Sequence, residues 1–210
     1  MCIRDSTYMA NQFAQIRAEH DDQIKSDRWY INAVRQFAGG VNTPQDVFAS
    51  DLGKFENTIE TGQMYMFTYD AKHKETLPYF DKFPLSIIIE PLPQIAGFSG
   101  INLHYLPPMM RAEVLGKLRE VQEQYTDDKS KLRSSWNVVQ NYSQYPVIKK
   151  AVKKYIAAGV TSRFYKVNPM NWRPAIFLPT QQFEGATAAT VQRQTMLKEE
   201  RKRSKLGATI

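Results

Sequence analysis

The sequence predicts an α+β fold: a small, strongly curved antiparallel sheet or an SH3-like barrel. N-terminal helices precede it, and a helical insertion precedes its last strand. Three observations predict this. Residues 62–106 hold three short segments with strand patterning and aromatic residues. Helical periodicity flanks them on both sides. The connections between them are short and rich in proline and glycine.

Taken in order, Met1–Ser6 reads "MCIRDS", which a sequencing-library transposon adapter encodes when read in frame. It is set aside as an adapter remnant, implying a metagenomic source and a lost true start. The only cysteine, Cys2, lies inside it. The remaining chain therefore offers no disulfide framework, thiol nucleophile or cysteine metal site. Residues 7–38 read as helical through Phe13, Ile16, Ile24, Trp29, Ile31, Val34 and Phe37. A break is expected at "EHDDQIKSD", with Ser26 or Asp27 capping a second helix, and "AGG" at 38–40 ends it. Thr43 and Pro44 then open a short helix reaching Leu52.

"GQMYMFTYDA" (62–71), "FPLSIIIEPL" (83–92) and "GFSGINLHYL" (97–106) read as strands. "DAKHKETLPYFDK" is a polar loop with an exposed-looking aromatic pair. "EPLP" reads as a turn. Pro108 opens a helix with Met110, Val114, Leu115, Leu118 and Val121 on one face. "KSKLRSSWNVVQNYS" gives another helix. "YPVIKKAVKKYIAAG" gives a third, from Pro146 to Gly159. "VTSRFYKV" is a strand returning to the sheet, and "NPMNWRPAIFLPTQQF" is turn-rich. The expected organisation is an adapter remnant (1–6), a helical segment (7–60), an α+β core with a basic helix (61–185) and a charged tail (186–210). No stretch approaches the roughly 20 apolar residues of a membrane span.

Charge is the most informative feature. The net charge is +7, yet residues 129–183 hold ten Lys/Arg and no Asp or Glu. On a helix, Lys149, Lys150, Lys153 and Lys154 would share an arc of about 140°. Ile148, Ala151, Val152, Tyr155 and Ile156 would face the core. A solvated face is normally mixed in sign, because i, i+4 pairs with Glu support it. This stretch lacks such partners, which favours a polyanion, with nucleic acid first. Arg163 and Lys166 extend the set, and Lys129, Lys131 and Arg133 precede it. Interleaved aromatics (Trp136, Tyr142, Tyr145, Tyr155, Phe164, Tyr165, Trp172) suit base stacking, although core packing is their ordinary role. Six phosphate contacts would give a salt slope of roughly −5. Lysine in place of arginine favours phosphates over base edges.

Catalysis has little support. His20, His73 and His104 have no metal-ligand spacing, and there is no phosphate-binding Gly loop or GxSxG. Asp70, Glu75 and Asp81 would mark a nuclease only if they converged; a charged surface loop is the plainer reading. His104 reads as a hydrogen-bonded strand residue. No cofactor and no small-molecule substrate is implied.

Four pieces carry a family resemblance: the G-x-M-Y-x-F-x-Y-D strand from Gly62, "LPYFDKFPL", the G-x-N-L-H-Y-L-P segment from Gly100, and "RFYKVNPMNWRPAIFLP". Across residues 62–183 the chain resembles the DNA end protector proteins of contractile-tailed myoviruses, marine type. The resemblance implies a non-enzymatic virion protein acting in head completion. It would sit on the ends of packaged double-stranded DNA, without sequence preference, and block host exonuclease in the cytoplasm after injection. The nucleic-acid-binding candidates are Lys149, Lys150, Lys153, Lys154, Arg163 and Lys166. The alternative is a head, neck or baseplate adaptor docking its basic face on an acidic virion protein.

Overall fold

The computed structural model describes residues 26–37, 43–123 and 146–196. The expected helix at 129–143, the "AGG" stop, and the residues Phe13, Ile16, His20, Ile24, Lys129, Lys131, Arg133, Trp136, Tyr142 and Tyr145 lie outside them, as do the side chains of Leu118 and Val121.

Six strands form the main sheet: β1 (Gly53–Glu56), β2 (Met64–Met66), β4 (Leu85–Leu92), β5 (Gly97–Asn102), β6 (Val152–Ile156) and β7 (Phe164–Val167). Their order is β1-β7-β2-β4-β5-β6, and every neighbouring pair is antiparallel. β3 (Phe80–Asp81) and β8 (Phe183–Glu184) pair separately. The α+β expectation holds, and the three expected strands match β2, β4 and β5. β1 was not anticipated: it falls inside the stretch read as helical and forms one sheet edge.

Side-chain alternation divides the sheet into two apolar faces. Met64, Met66, Ile87 and Ile101 face the larger core. There they meet Tyr30 and Val34 of α1 (Asp27–Phe37), Val47 of α2 (Pro44–Ala49), and Val114 and Leu115 of α3 (Pro108–Glu123). Tyr65, Phe67, Ile88, Phe98 and Tyr155 face the other way, with Phe164 against them. Phe98 on β5 and Phe164 on β7 have ring centroids only 5.7 Å apart. Those strands are three steps apart in the sheet, roughly 14 Å if it were flat. The sheet therefore curls around this second cluster. β1 and β6 remain unpaired edges, so of the two expected architectures the curved open sheet is the one formed, and the SH3-like barrel is not.

Local signals account for most elements. Ser26 Oγ accepts from the Trp29 amide at the start of α1. Thr43 and Asp46 form a capping box on α2 with Pro44 in its first turn, although α2 ends at Ala49, short of Leu52. Pro91 lies within β4 and not in a turn. It stands opposite Phe98 of β5, beyond the reach of β2, whose register ends at Ile87. His104 sits in a 3-10 turn, Leu103–Tyr105, beyond the end of β5. The expected tail opens with a helix over 188–196 that buries Val191 in the larger core. Among the described residues no helix is long and apolar enough to cross a membrane.

One expectation fails where it matters most. Residues 146–159 are not one helix. α4 ends at Ala151, and β6 begins at Val152. Val152, Tyr155 and Ile156 satisfy helical spacing, but they are also strong strand formers. Pairing with β5 sets Tyr155 opposite Phe98 and buries it beside Phe67. Tertiary packing overrides the local pattern. Gly159 is not a helix stop: a Cβ there would lie 2.6 Å from the Asp70 carbonyl oxygen and 2.8 Å from the Tyr69 ring. Its role is close approach where 157–163 crosses the curled sheet.

Candidate nucleic-acid interface

The loss of the single helix divides the predicted cations. Lys149 and Lys150 ride on α4, Lys153 and Lys154 on β6, and Arg163 and Lys166 at β7. The first four remain together. Lys149, Lys150 and Lys153 line one recess of about 330 Å³. Lys153 and Lys154, joined by Lys72, line an adjoining one of about 300 Å³. Lys153, Tyr79 and Tyr105 belong to both walls. Lys72, Lys149, Lys153 and Lys154 form no ion pair among the described residues. Lys150 Nζ donates to the Thr195 carbonyl at 2.6 Å, which ties α4 to the helix over 188–196.

Lys153 is the unusual member. Its ammonium lies 3.9 Å from the centroid of the Tyr105 ring, a cation–π contact. Burial pulls its pKa down to about 8, so it is mostly charged at neutral pH but poorly solvated.

The floor beneath is polar and closed. Asp81 is 3% exposed and His104 0%. Asp81 accepts from Asn102 Nδ2 at 3.0 Å and from the amides of Phe83 at 3.1 Å and Gln182 at 3.2 Å. His104 Nδ1 lies 2.7 Å from Asp81 Oδ2. Burial alone would raise the Asp81 pKa, but His104 and these hydrogen bonds hold it low. Burial lowers that of His104 and outweighs the carboxylate. The pair is an ionised Asp81 and a neutral His104 donating through Nδ1, with Nε2 left to face Thr180 Oγ1 at 3.4 Å. Arg111, 2% exposed, donates to the carbonyls of Leu106 and Ile176 at 2.8 Å. Burial lowers its pKa to about 10, which leaves it cationic. Tyr155, 3% exposed, places its hydroxyl here beside the Ser86 and Asn102 side chains. Burial foremost, then Asp81, drives its pKa far up, so it stays a phenol.

Arg163 and Lys166 belong elsewhere. β7 is separated from β6 by three strands. Lys166 Nζ bonds Glu60, Lys54 Nζ bonds Glu56 at 2.9 Å, and Arg163 lies over the Phe55 ring at 5.2 Å. These cations are neutralised or stacked.

The acidic residues do not converge. Asp70 pairs with Lys74 at 3.1 Å, Glu75 is exposed, and of the three Asp81 alone lines the recess against β6. Among the described residues no group of three His, Cys, Asp or Glu could hold a metal ion.

Sequence reasoning missed Lys72, Tyr69, Tyr79 and Tyr105 as members of the recess. The "DAKHK" and "LPYFDKFPL" segments signalled a polar loop with aromatics, but not that the loop lies against β6.

Fold and site together define an α+β protein with a lysine- and tyrosine-walled recess at one sheet edge. The chain belongs to the phage T4 terminal DNA protecting protein family, the DNA end protectors of T4-like phages, with the family's sequence model matching residues 17–198. No curated protein and no solved structure matches it.

Proposed function

We propose that this protein binds the ends of packaged double-stranded DNA without sequence preference and shields them from exonuclease. It acts in head completion, travels in the virion, and stays on the ends in the host cytoplasm after injection. The observation that carries this reading is the set of lysines at the β6 edge: Lys72, Lys149, Lys153 and Lys154 in adjoining recesses, without carboxylate partners among the described residues. Lysine ammonium groups suit phosphates as point charges and read no base edge. Arg163 and Lys166, engaged at β1 and β7, contribute little to the contact. The test is digestion of a linear duplex by a processive exonuclease with and without the full chain. Protection is expected, together with weaker binding to closed circular DNA of the same sequence. Unprotected ends, or equal affinity for circles, would overturn the reading. Binding to acidic virion proteins without either effect would establish the adaptor alternative.

A further inference from the structure

We infer that the recess between β6 and the 69–81 loop receives the unstacked terminal nucleotide of one DNA strand. This rests on the end-binding reading and deepens it.

Three features support it. The recess holds about 300 Å³, at the lower end of the roughly 300–1,000 Å³ of small-ligand sites. That is room for one base and not for a base pair. Its walls are mainly apolar and aromatic, with Tyr69, Tyr79 and the 44%-exposed Leu77 among them. Such surfaces accept any base, because every base has a stacking face. Of its lysines, Lys72 and Lys154 line this recess alone, and Lys153 stands at the wall shared with the second recess, which Lys149 and Lys150 also line. A strand laid along those lysines would lead its last nucleotide into the recess.

The chemistry also answers what a sequence-blind protein can recognise at an end. Only a terminal nucleotide can leave the stack without distorting the duplex on both sides, at a cost that falls when it is already unpaired. Internal DNA offers the same phosphates but no such base. Lys153, held partly desolvated against Tyr105, is placed to meet the phosphate of that nucleotide.

The experiment measures affinity of the full chain for four duplexes of one sequence: blunt, with a one-nucleotide overhang, with a terminal abasic residue, and closed by hairpin loops at both ends. The overhang is expected to bind severalfold tighter than the blunt end, because it needs no unpairing. The abasic terminus is expected to bind about tenfold weaker, the loss of one stacked base. Abasic residues at the 3′ and the 5′ terminus, tested separately, identify the strand. Tyr79→Ala should abolish the discrimination between abasic and intact ends, and Lys153→Met should weaken binding to both ends alike, while residual binding to the hairpin-closed duplex persists. If abasic and intact ends bind alike but both exceed the closed duplex, the nucleotide site is wrong and end binding survives. If open and closed duplexes bind alike, the end-binding reading itself fails.

Discussion

At the β6 edge, Lys149, Lys153 and Lys154 stand beside Lys72 with no carboxylate in ion-pair contact among the described residues, over a floor whose one acid is sealed away. At the β1–β7 edge, Lys54 and Lys166 each hold a glutamate, and Arg163 lies on Phe55. Both edges draw cations from the acid-free stretch, but only one remains cationic as a surface. The antiparallel register explains the difference. It sets Glu56 opposite Phe164 and Lys54 opposite Lys166, so acids from 56–60 reach cations more than a hundred residues later. A window free of acid in sequence is not a surface free of acid in space.

The largest effect should come from the floor. Asp81→Ala removes the acceptor of His104, of Asn102 and of two amides, and leaves Arg111 without its nearest compensating carboxylate. A loss of about 3–5 kcal/mol in urea unfolding is expected. Glu60→Ala at the other edge should cost about 0–1 kcal/mol, because that pair is exposed. Equal costs would contradict the contrast between a sealed node and a surface pair. The node also sets the acid limit. The depressed His104 pKa makes stability fall as pH drops below about 6.5, where the unfolded imidazole takes a proton and the buried one does not. The depressed Asp81 pKa deepens that fall below about 4.

Next comes charge reversal. Lys72→Glu, Lys149→Glu and Lys154→Glu together should leave the fold intact, since all three are exposed. Losing three phosphate contacts should weaken DNA binding by about a hundredfold at 0.15 M salt and flatten the salt slope by about 3. The matching triple, Lys54→Glu, Arg163→Glu and Lys166→Glu, should cost less than about fivefold. Reversed ranking in a salt titration would move the interface to the β1–β7 edge.

Lys153 separates function from stability. Its pKa, lowered from 10.5 to about 8, means that a buried charge opposes folding by an amount on the order of 3 kcal/mol below pH 8. The sign follows from proton counts. Between about 8 and 10.5 the unfolded chain binds the proton and the folded chain does not, so stability rises with pH across that window. Tyr105, Tyr155, Asp81 and Lys154 surround the group and share the same recess. Lys153→Met should therefore raise the melting temperature at pH 7 while weakening DNA binding about tenfold. Wild-type binding should itself decline as pH rises through about 8. A variant that is less stable than wild type would show that the lysine is structural.

How much of this was legible beforehand follows from the range over which each signal acts. Capping at Ser26 and Thr43, the strands expected at 83–92 and 97–106 (the second ending at Asn102), and the proline start of α3 are local, and they stood in the sequence. β1 was not visible, because "GKFE" is too short to show alternation and exists only through pairing with β7. The split at Ala151 was not visible either: "VKKYI" suits a helix and a strand equally until Phe98 is set opposite Tyr155. Lys149, Lys150, Lys153 and Lys154 were found for the wrong geometric reason, a shared helix face. The fold reunites them around a recess that owes as much to Lys72 and Tyr79, brought in by a loop some seventy residues earlier.

The smallest prediction tests the lesson directly. Glu56→Gln with Glu60→Gln releases Lys54 and Lys166 while preserving shape. Glu56 is held ionised chiefly by Lys54, so its removal exposes net positive charge without unfolding β1. Internal, sequence-blind DNA binding should rise about two- to threefold at low salt and return to the wild-type value at 0.5 M, where exposed charges are screened. The preference for open ends should narrow, because the new cations lie three strands from the recess and gain equally from closed DNA. If instead end preference sharpened, the β1–β7 edge would have to lie on the path of the duplex, and the glutamates would be a brake on binding and not a neutralised corner of the fold.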